Sequence, residues 1–381
     1  MAIGNDAGDA LTTGVRNIGI GVSALSTQST AGYNTAIGWH ALRLNTTGQE
    51  HVAVGQNSLA SNTTGTQNDA FGYTSMDKQT TGSYNAAFGA YAGDNLTTGG
   101  GNTAIGAGAL ANNTTGSYNT SVGNASLDEN TTGAANTSVG YNSLSANTTA
   151  DNNTAVGRDS LRVNTTGVDN VAVGANVLDA NTTGRMNVGI GKDALGANTE
   201  GELNVAVGRE ALLLNTTGQD VVAVGINALD ANTTGSENTA VGNDSLSLCT
   251  TGSHNTAVGH DALEQVSTGS YNTALGRDAG RSITTGASNI CIGQNSNDAA
   301  NTANVVAIGP FALSANTADN LVAMGYFSLL NNTSGTGNTA LGFNSMASNT
   351  TGSNNTAVGS VTLDSNTTGA NSTAVGYAAL D

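Results

Sequence analysis

The sequence predicts an all-β parallel β-solenoid, a β-roll of about 22 coils with one coil per repeat, and three observations predict it. A glycine recurs every 17 residues, at Gly4, Gly21, Gly38, Gly55 and onward to Gly276 and Gly293. A β-branched or apolar pair precedes that glycine in nearly every copy. An N-T-T-G phrase follows it. A fixed short period held over 381 residues marks an array in which each unit contacts its neighbours, and not a set of globular domains. Helix is excluded by 52 glycines and a β-branched run in every repeat.

In chain order, the first element of each repeat is a short strand ending at the marker glycine. The phrase Asn153-Thr154-Ala155-Val156-Gly157 is typical. The alternation of a β-branched residue, a small residue and an apolar residue suits a pleated strand with one tightly packed face. Four residues after the glycine comes Leu, as in Leu161, preceded by Ala or Ser; this reads as a second short strand. N-T-T-G then supplies a corner, because Asn bonds its own backbone and Gly takes positive φ without strain. The expected core is the residue before the glycine plus the Leu: Val156 and Leu161, Val173 and Leu178, Val241 and Leu246.

Asn stands four residues before the marker glycine in 17 of 22 copies, the exceptions being His51, Val221, Val305, Leu321 and Ser372. In a stacked solenoid these side chains fall about 4.8 Å apart. Amides bond up and down such a ladder, whereas like charges repel. Asn34, Asn85, Asn119, Asn153, Asn187, Asn238, Asn272 and Asn355 are therefore expected as a structural ladder. Two dependable large apolar residues per coil are too few to fill a wide prism. The count favours a flat roll or slender rolls sharing an axis, a homotrimer before a monomer.

The repeat covers 1–381 as a single domain, with two 16-residue copies between Gly293 and Gly325 that lose the T-T-G corner and hold the only proline, Pro310. These predict a local irregularity. Neither end carries a polar cap, so a segment of a longer fibre, or a protomer stacking head-to-tail into a filament, is expected.

Net charge is −17, from 27 acidic and 10 basic residues. Scattered acids form a solubilising coat that repels phosphate backbones, so no nucleic acid is expected as a partner. There is no apolar run of membrane-spanning length, and because Met1-Ala-Ile-Gly4 already enters the repeat, no signal peptide is expected. Cys249 replaces a corner Asn and Cys291 a strand Ala. They lie about 12 Å apart along a stack of this spacing, too far for a disulfide.

The strand phrase N-T-A-V-G followed by x-x-A/S-L resembles the head repeats of YadA-like trimeric autotransporter adhesins and related phage and virus tail-fibre repeat proteins. The resemblance runs over the whole chain, although the 17-residue step exceeds the step near 14 of those heads, and residues 1–381 read as repeat with no neck, stalk or anchor expected among them. It implies a left-handed, homotrimeric β-roll with an extracellular, cell-surface or virion location, used for attachment to a host-surface glycan or protein.

The position after the marker glycine is the most varied, and its aromatics, Trp39, Tyr73, Tyr141, Tyr326, Phe343 and Tyr377, are the candidate surface contacts. A second row holds Tyr33, Tyr84, Tyr118 and Tyr271. No catalytic constellation is visible, and the chain does not read as an enzyme. His254 and His260 are the only histidine pair with a conceivable zinc geometry. Asp159, Asp193, Asp244, Asp261 and Asp278 share one position, a row that calcium is able to bridge, although the calcium-roll nonapeptide is absent. No resident cofactor is expected. The N-T-T triplets at Asn45 and Asn164 satisfy the N-glycosylation sequon, and turn formation explains them as well. Thr ladders on a flat sheet raise one rival function, ice binding.

Overall fold

A computed structural model describes residues 1–298 and 301–380. Among them it shows an all-β parallel solenoid of about 22 turns with no helix. Two compact units divide the chain, Met1–Asn187 and Val188–Asp381. The first holds strands β1 (Ala2–Ile3) to β11 (Val171–Val173), the second β12 (Val188–Ile190) to β23 (Thr373–Val375). Within each unit, every strand pairs in parallel with the next copy in unshifted register. In the first, β10 (Thr154–Val156) sets Thr154 against Val171, Ala155 against Ala172 and Val156 against Val173. In the second, Thr239 faces Thr256, Ala240 faces Ala257 and Val241 faces Val258.

Each coil has one strand, not two. The expected second strand is a corner built on left-handed residues: Asp159 has φ 56° and Leu161 φ 49°, and the same two positions repeat along the chain. Leu is an unusual choice for that region, at a penalty of about 1 kcal/mol. Burial holds it there, since Leu161, Leu178 and Leu246 are all fully enclosed. The bend still bonds coil to coil: Asp159 N–H donates backwards to Tyr141 O at 3.0 Å, and Leu161 N–H forwards to Val177 O at 2.9 Å. The marker glycine makes the preceding bend. Gly157 has φ 135°, and a Cβ there would lie under 3.0 Å from the Gly174 carbonyl.

The strand face is the reverse of the expected one. The central Ala points inward, with Ala155, Ala172 and Ala240 at 0% exposure. Val156 and Val241 are only half-buried and Val173 is 37% exposed. The physical reason is width. A three-residue strand alternates sides, so either its centre or its flanks can face in, and an interior already holding Leu has room only for the methyl group.

The interior of one coil is therefore a small set of residues: Ser160, Leu161, Asn164, Gly167, Asn170 and Ala172 in one copy. Only one is a large hydrocarbon. Across the irregular stretch 293–325, the strand before it, Ile290–Ile292, and the two within it, Val306–Ile308 and Val322–Met324, stay in register. Residues 299 and 300 of it lie outside the described residues.

Candidate functional site: buried amide rows and an uncharged strand face

Two rows of buried amides run through the coils. In the expected one, each Asn Oδ1 accepts the backbone N–H of its counterpart in the next copy. Asn34 N–H donates to Asn17 Oδ1 at 3.0 Å, Asn85 to Asn68 at 2.9 Å, Asn119 to Asn102 at 2.9 Å and Asn153 to Asn136 at 2.9 Å. Asn187 and Asn272 repeat the bond at 3.0 Å and Asn355 at 2.9 Å, while Asn238 Oδ1 accepts from Asn255 N–H at 2.9 Å. The Nδ2 group reaches across the coil, as Asn153 does to Gly167 O at 2.9 Å. An amide buried with its donors and acceptors matched avoids the penalty of desolvating them unpaired.

The second row occupies the N-T-T-G corners, where the sequence alone suggests only a turn. Corner residue Asn164 is fully buried, and its Nδ2 donates both to Asn147 Oδ1 at 3.2 Å and to Gly167 O at 2.9 Å. The sequence held a signal for this: the corner Asn is replaced in other copies by Leu96, Cys249, Val266 and Ile283, residues that a solvated turn has no use for.

His51 shows what the first row demands. It stands in an Asn position at 0% exposure. Nδ1 accepts from Asn68 N–H at 3.1 Å and Nε2 lies 2.8 Å from Gly65 O, so the neutral ring with its proton on Nε2 reproduces both bonds of Asn. Burial pulls its pKa below the usual histidine value, against the opposing pull of the Gly65 and Asn68 carbonyls and Asp69.

Outside, chemistry is sorted by row. Every basic residue directly after a marker glycine pairs with the acid that follows it: Arg158 with Asp159 at 2.8 Å, Lys192 with Asp193 at 2.7 Å, Arg209 with Glu210 at 3.1 Å, His260 with Asp261 at 3.0 Å and Arg277 with Asp278 at 2.9 Å. The acids of this row sit at the left-handed position that Asp and Asn tolerate best, which accounts for their recurrence. Asp244, His260 and Asp261 present ligand atoms within 4.8 Å of one another. Asp244 also accepts from Asn227 Nδ2 at 3.0 Å. His254 is not brought into that group; it lies 3.1 Å from Glu237 and stacks on Tyr271. Cys249 and Cys291 are free and buried, with burial pushing their thiols up to about 11 and about 12.

All six aromatic candidates are exposed. Trp39 stacks on His40 at 3.7 Å, Tyr73 meets Tyr91 edge-on at 5.3 Å, and Tyr326 lies parallel to Phe343 at 6.0 Å. Tyr141 and Tyr377 stand without a ring neighbour among the contacts described.

The strand face carries the least charge. Its two outward rows hold Thr, Val, Ile, Leu, Phe, Met and Ala, and of strands β2 (Ile18–Ile20) to β23 the single charged residue facing outward is Asp69. Ile37, Phe88, Ile105, Ile190, Leu275 and Leu341 are all exposed there. In a chain of net charge −17 that separation is a property of the fold, because the pleat sends every second residue of each strand to this side.

Among the described residues, no helix is long and apolar enough to cross a membrane. Compared with models of protein families the sequence matches none, and a search of curated proteins finds no match; the chain is a parallel β-solenoid repeat protein.

Proposed function

We propose that this is a structural attachment protein, not an enzyme, borne outside a cell or on a virion, whose strand face packs against further copies of the chain in a homotrimer. One observation carries the reading: an acidic protein keeps one face nearly free of charge and lined with exposed Ile, Val, Leu and Phe. Contiguous apolar surface beyond a few hundred Å² marks an interaction site. Identical acidic chains approach most easily where neither carries charge. The resemblance of N-T-A-V-G-x-x-A/S-L to the head repeats of YadA-like adhesins and tail fibres supports the same use. The aromatic row beyond the marker glycine then remains for a receptor, a host-surface glycan or protein.

The test is native mass with and without charge on that face. The intact chain is expected at three times its monomer mass, and Val156→Lys with Val207→Lys is expected to release monomers that keep their β signal. A wild-type monomer removes the proposal, and an open polymer replaces it with a filament subunit.

A second reading has one observation of its own. Thr103, Thr120, Thr137 and Thr154 stand in register on the outward face beside Ile105, Val122, Val139 and Val156, a regular array of Thr and β-branched or apolar residues of the kind that orders water. Thermal hysteresis in the monomer would favour ice binding; its absence leaves attachment.

A further inference from the structure

The N-T-T corners are N-glycosylation sequons whose acceptor nitrogens are part of the interior. We infer that N-glycan transfer at these buried corners and folding exclude one another, so that the protein is made where no oligosaccharyltransferase acts on it. Among the described residues, eleven corner asparagines from Asn45 to Asn349 both satisfy the sequon and are 0% exposed.

The chemistry is specific. In transfer, the Asn Nδ2 bonds to the first sugar's C1, a lipid pyrophosphate leaves, and Nδ2 loses one of its two hydrogens. In the folded coil both hydrogens are in use: Asn130 Nδ2 donates to Asn113 Oδ1 at 2.8 Å and to Gly133 O at 2.9 Å. Asn147 Nδ2 does the same with Asn130 Oδ1 at 2.8 Å and Ala150 O at 3.1 Å. A linked sugar thus removes one bond per coil. It also has no exit. At Gly167, beside Asn164, a single added Cβ would lie under 3.0 Å from Asn164 Oδ1, Asn181 Nδ2 and the Gly184 carbonyl. Asn119 and Asn136, followed by Thr-Ser, place two further sequons on the other buried row.

The second Thr of the sequon provides a clean control. Thr47, Thr132 and Thr166 are exposed, so Thr→Ala there abolishes the acceptor sequence without touching the amide row. Ser121→Ala and Ser138→Ala do the same in the strands and restore the residue most copies carry.

The experiment expresses the full chain three ways: in the cytosol, behind a secretion leader in a glycosylating eukaryotic cell, and in that cell with tunicamycin. A variant with Ala at the third position of every buried sequon is run alongside. Limited proteolysis and glycopeptide mapping are the readouts. The cytosolic chain is expected to resist protease. The secreted wild type is expected to carry glycans at Asn130 or Asn164 and to be digested at least tenfold faster, with tunicamycin or the variant restoring resistance. A protease-resistant chain glycosylated at a buried corner overturns the inference. So does a secreted wild-type chain that folds with its corners unmodified, or a variant that stays protease-sensitive when secreted although it folds in the cytosol.

Discussion

Two stretches, one in each unit, are built on the same repeat and filled differently. From Asn113 to Asn181 the corner row is unbroken: Asn130, Asn147, Asn164 and Asn181 each pass Nδ2 to the Oδ1 of the copy before. From Cys249 to Ile283 the same position holds Cys249, Val266 and Ile283, all at 0% exposure. The backbone does not register the change, since the strands stay paired residue for residue through both. An interior position in a solenoid thus accepts either an amide or a hydrocarbon of matching size, provided the coil above and below can answer it.

What it does not accept without consequence is the junction. Amide bonds in this row run one way, so the last Asn before a break keeps its donor bonds and loses its acceptor's partner. Asn232 Oδ1, next to Cys249, has no hydrogen-bond partner. Neither has Asn62 Oδ1, beside Gln79, nor Gln79 Oε1, beside Leu96. Where a large side chain enters the corner, space comes from elsewhere in the same coil: the Leu position becomes Gly93 opposite Leu96, Gly280 opposite Ile283 and Gly8 opposite Leu11.

The largest expected effect breaks the unbroken stretch. Asn147→Leu leaves Asn130 Oδ1 and the Ala150 carbonyl without the Nδ2 donor and forces a hydrocarbon beside amides, with an expected loss of about 3–4 kcal/mol. Hydrogen exchange should show the coils around Ala150 opening first, while Val266→Ala in the other stretch costs about 2 kcal/mol. Equal losses would mean the amide row contributes nothing beyond volume.

Next comes the compensated pair. Gly93→Leu overfills the coil and Leu96→Asn empties it, each at about 2–3 kcal/mol. Together they recreate the common coil, and Gly93 already has the φ of 60° that Leu adopts at this position. A double-mutant cycle in denaturant should recover most of the loss; additive losses would sink the idea of exchange between the two sites.

Acid probes the one imidazole in the row. Because burial lowers the His51 pKa from 6.5, the unfolded chain takes up a proton first as pH falls. The ring's contribution is whole above pH 6.5 and is lost as pH drops from there through the folded value. His51→Asn should flatten that part of the stability–pH curve while preserving both bonds. An unchanged curve would place the acid sensitivity elsewhere.

The smallest effect is Cys249→Asn. It supplies a donor to Asn232 Oδ1 but creates a new unpaired Oδ1 facing Val266, so the orphan moves by one coil. Stability should change by less than about 1 kcal/mol. A clear gain would show that the defect depends on its position.

Much of this was legible beforehand. The 17-residue step made legible one coil per repeat, the register of the strands within each unit and the first amide row, because a parallel stack places like over like. The uncharged strand face was written in the same residues, yet its direction was not. Thr154-Ala155-Val156 alternates identically whether the flanks or the centre point inward, and only the competition of Leu161 for interior volume decided that Ala155 should. The left-handed corner escaped for a related reason: Leu at φ 49° contradicts local preference and exists because its burial outweighs that preference. Corner asparagines such as Asn164 looked like turn formers since isolated N-T-T-G is one.

By itself, then, the sequence determined periodicity, parallel stacking and which positions repeat, since those follow from spacing alone. Tertiary structure decided which side of each residue faces water. That choice rests on how five side chains and a glycine share the narrow interior of one coil, a contest of volume and hydrogen bonding that no single residue's preference contains.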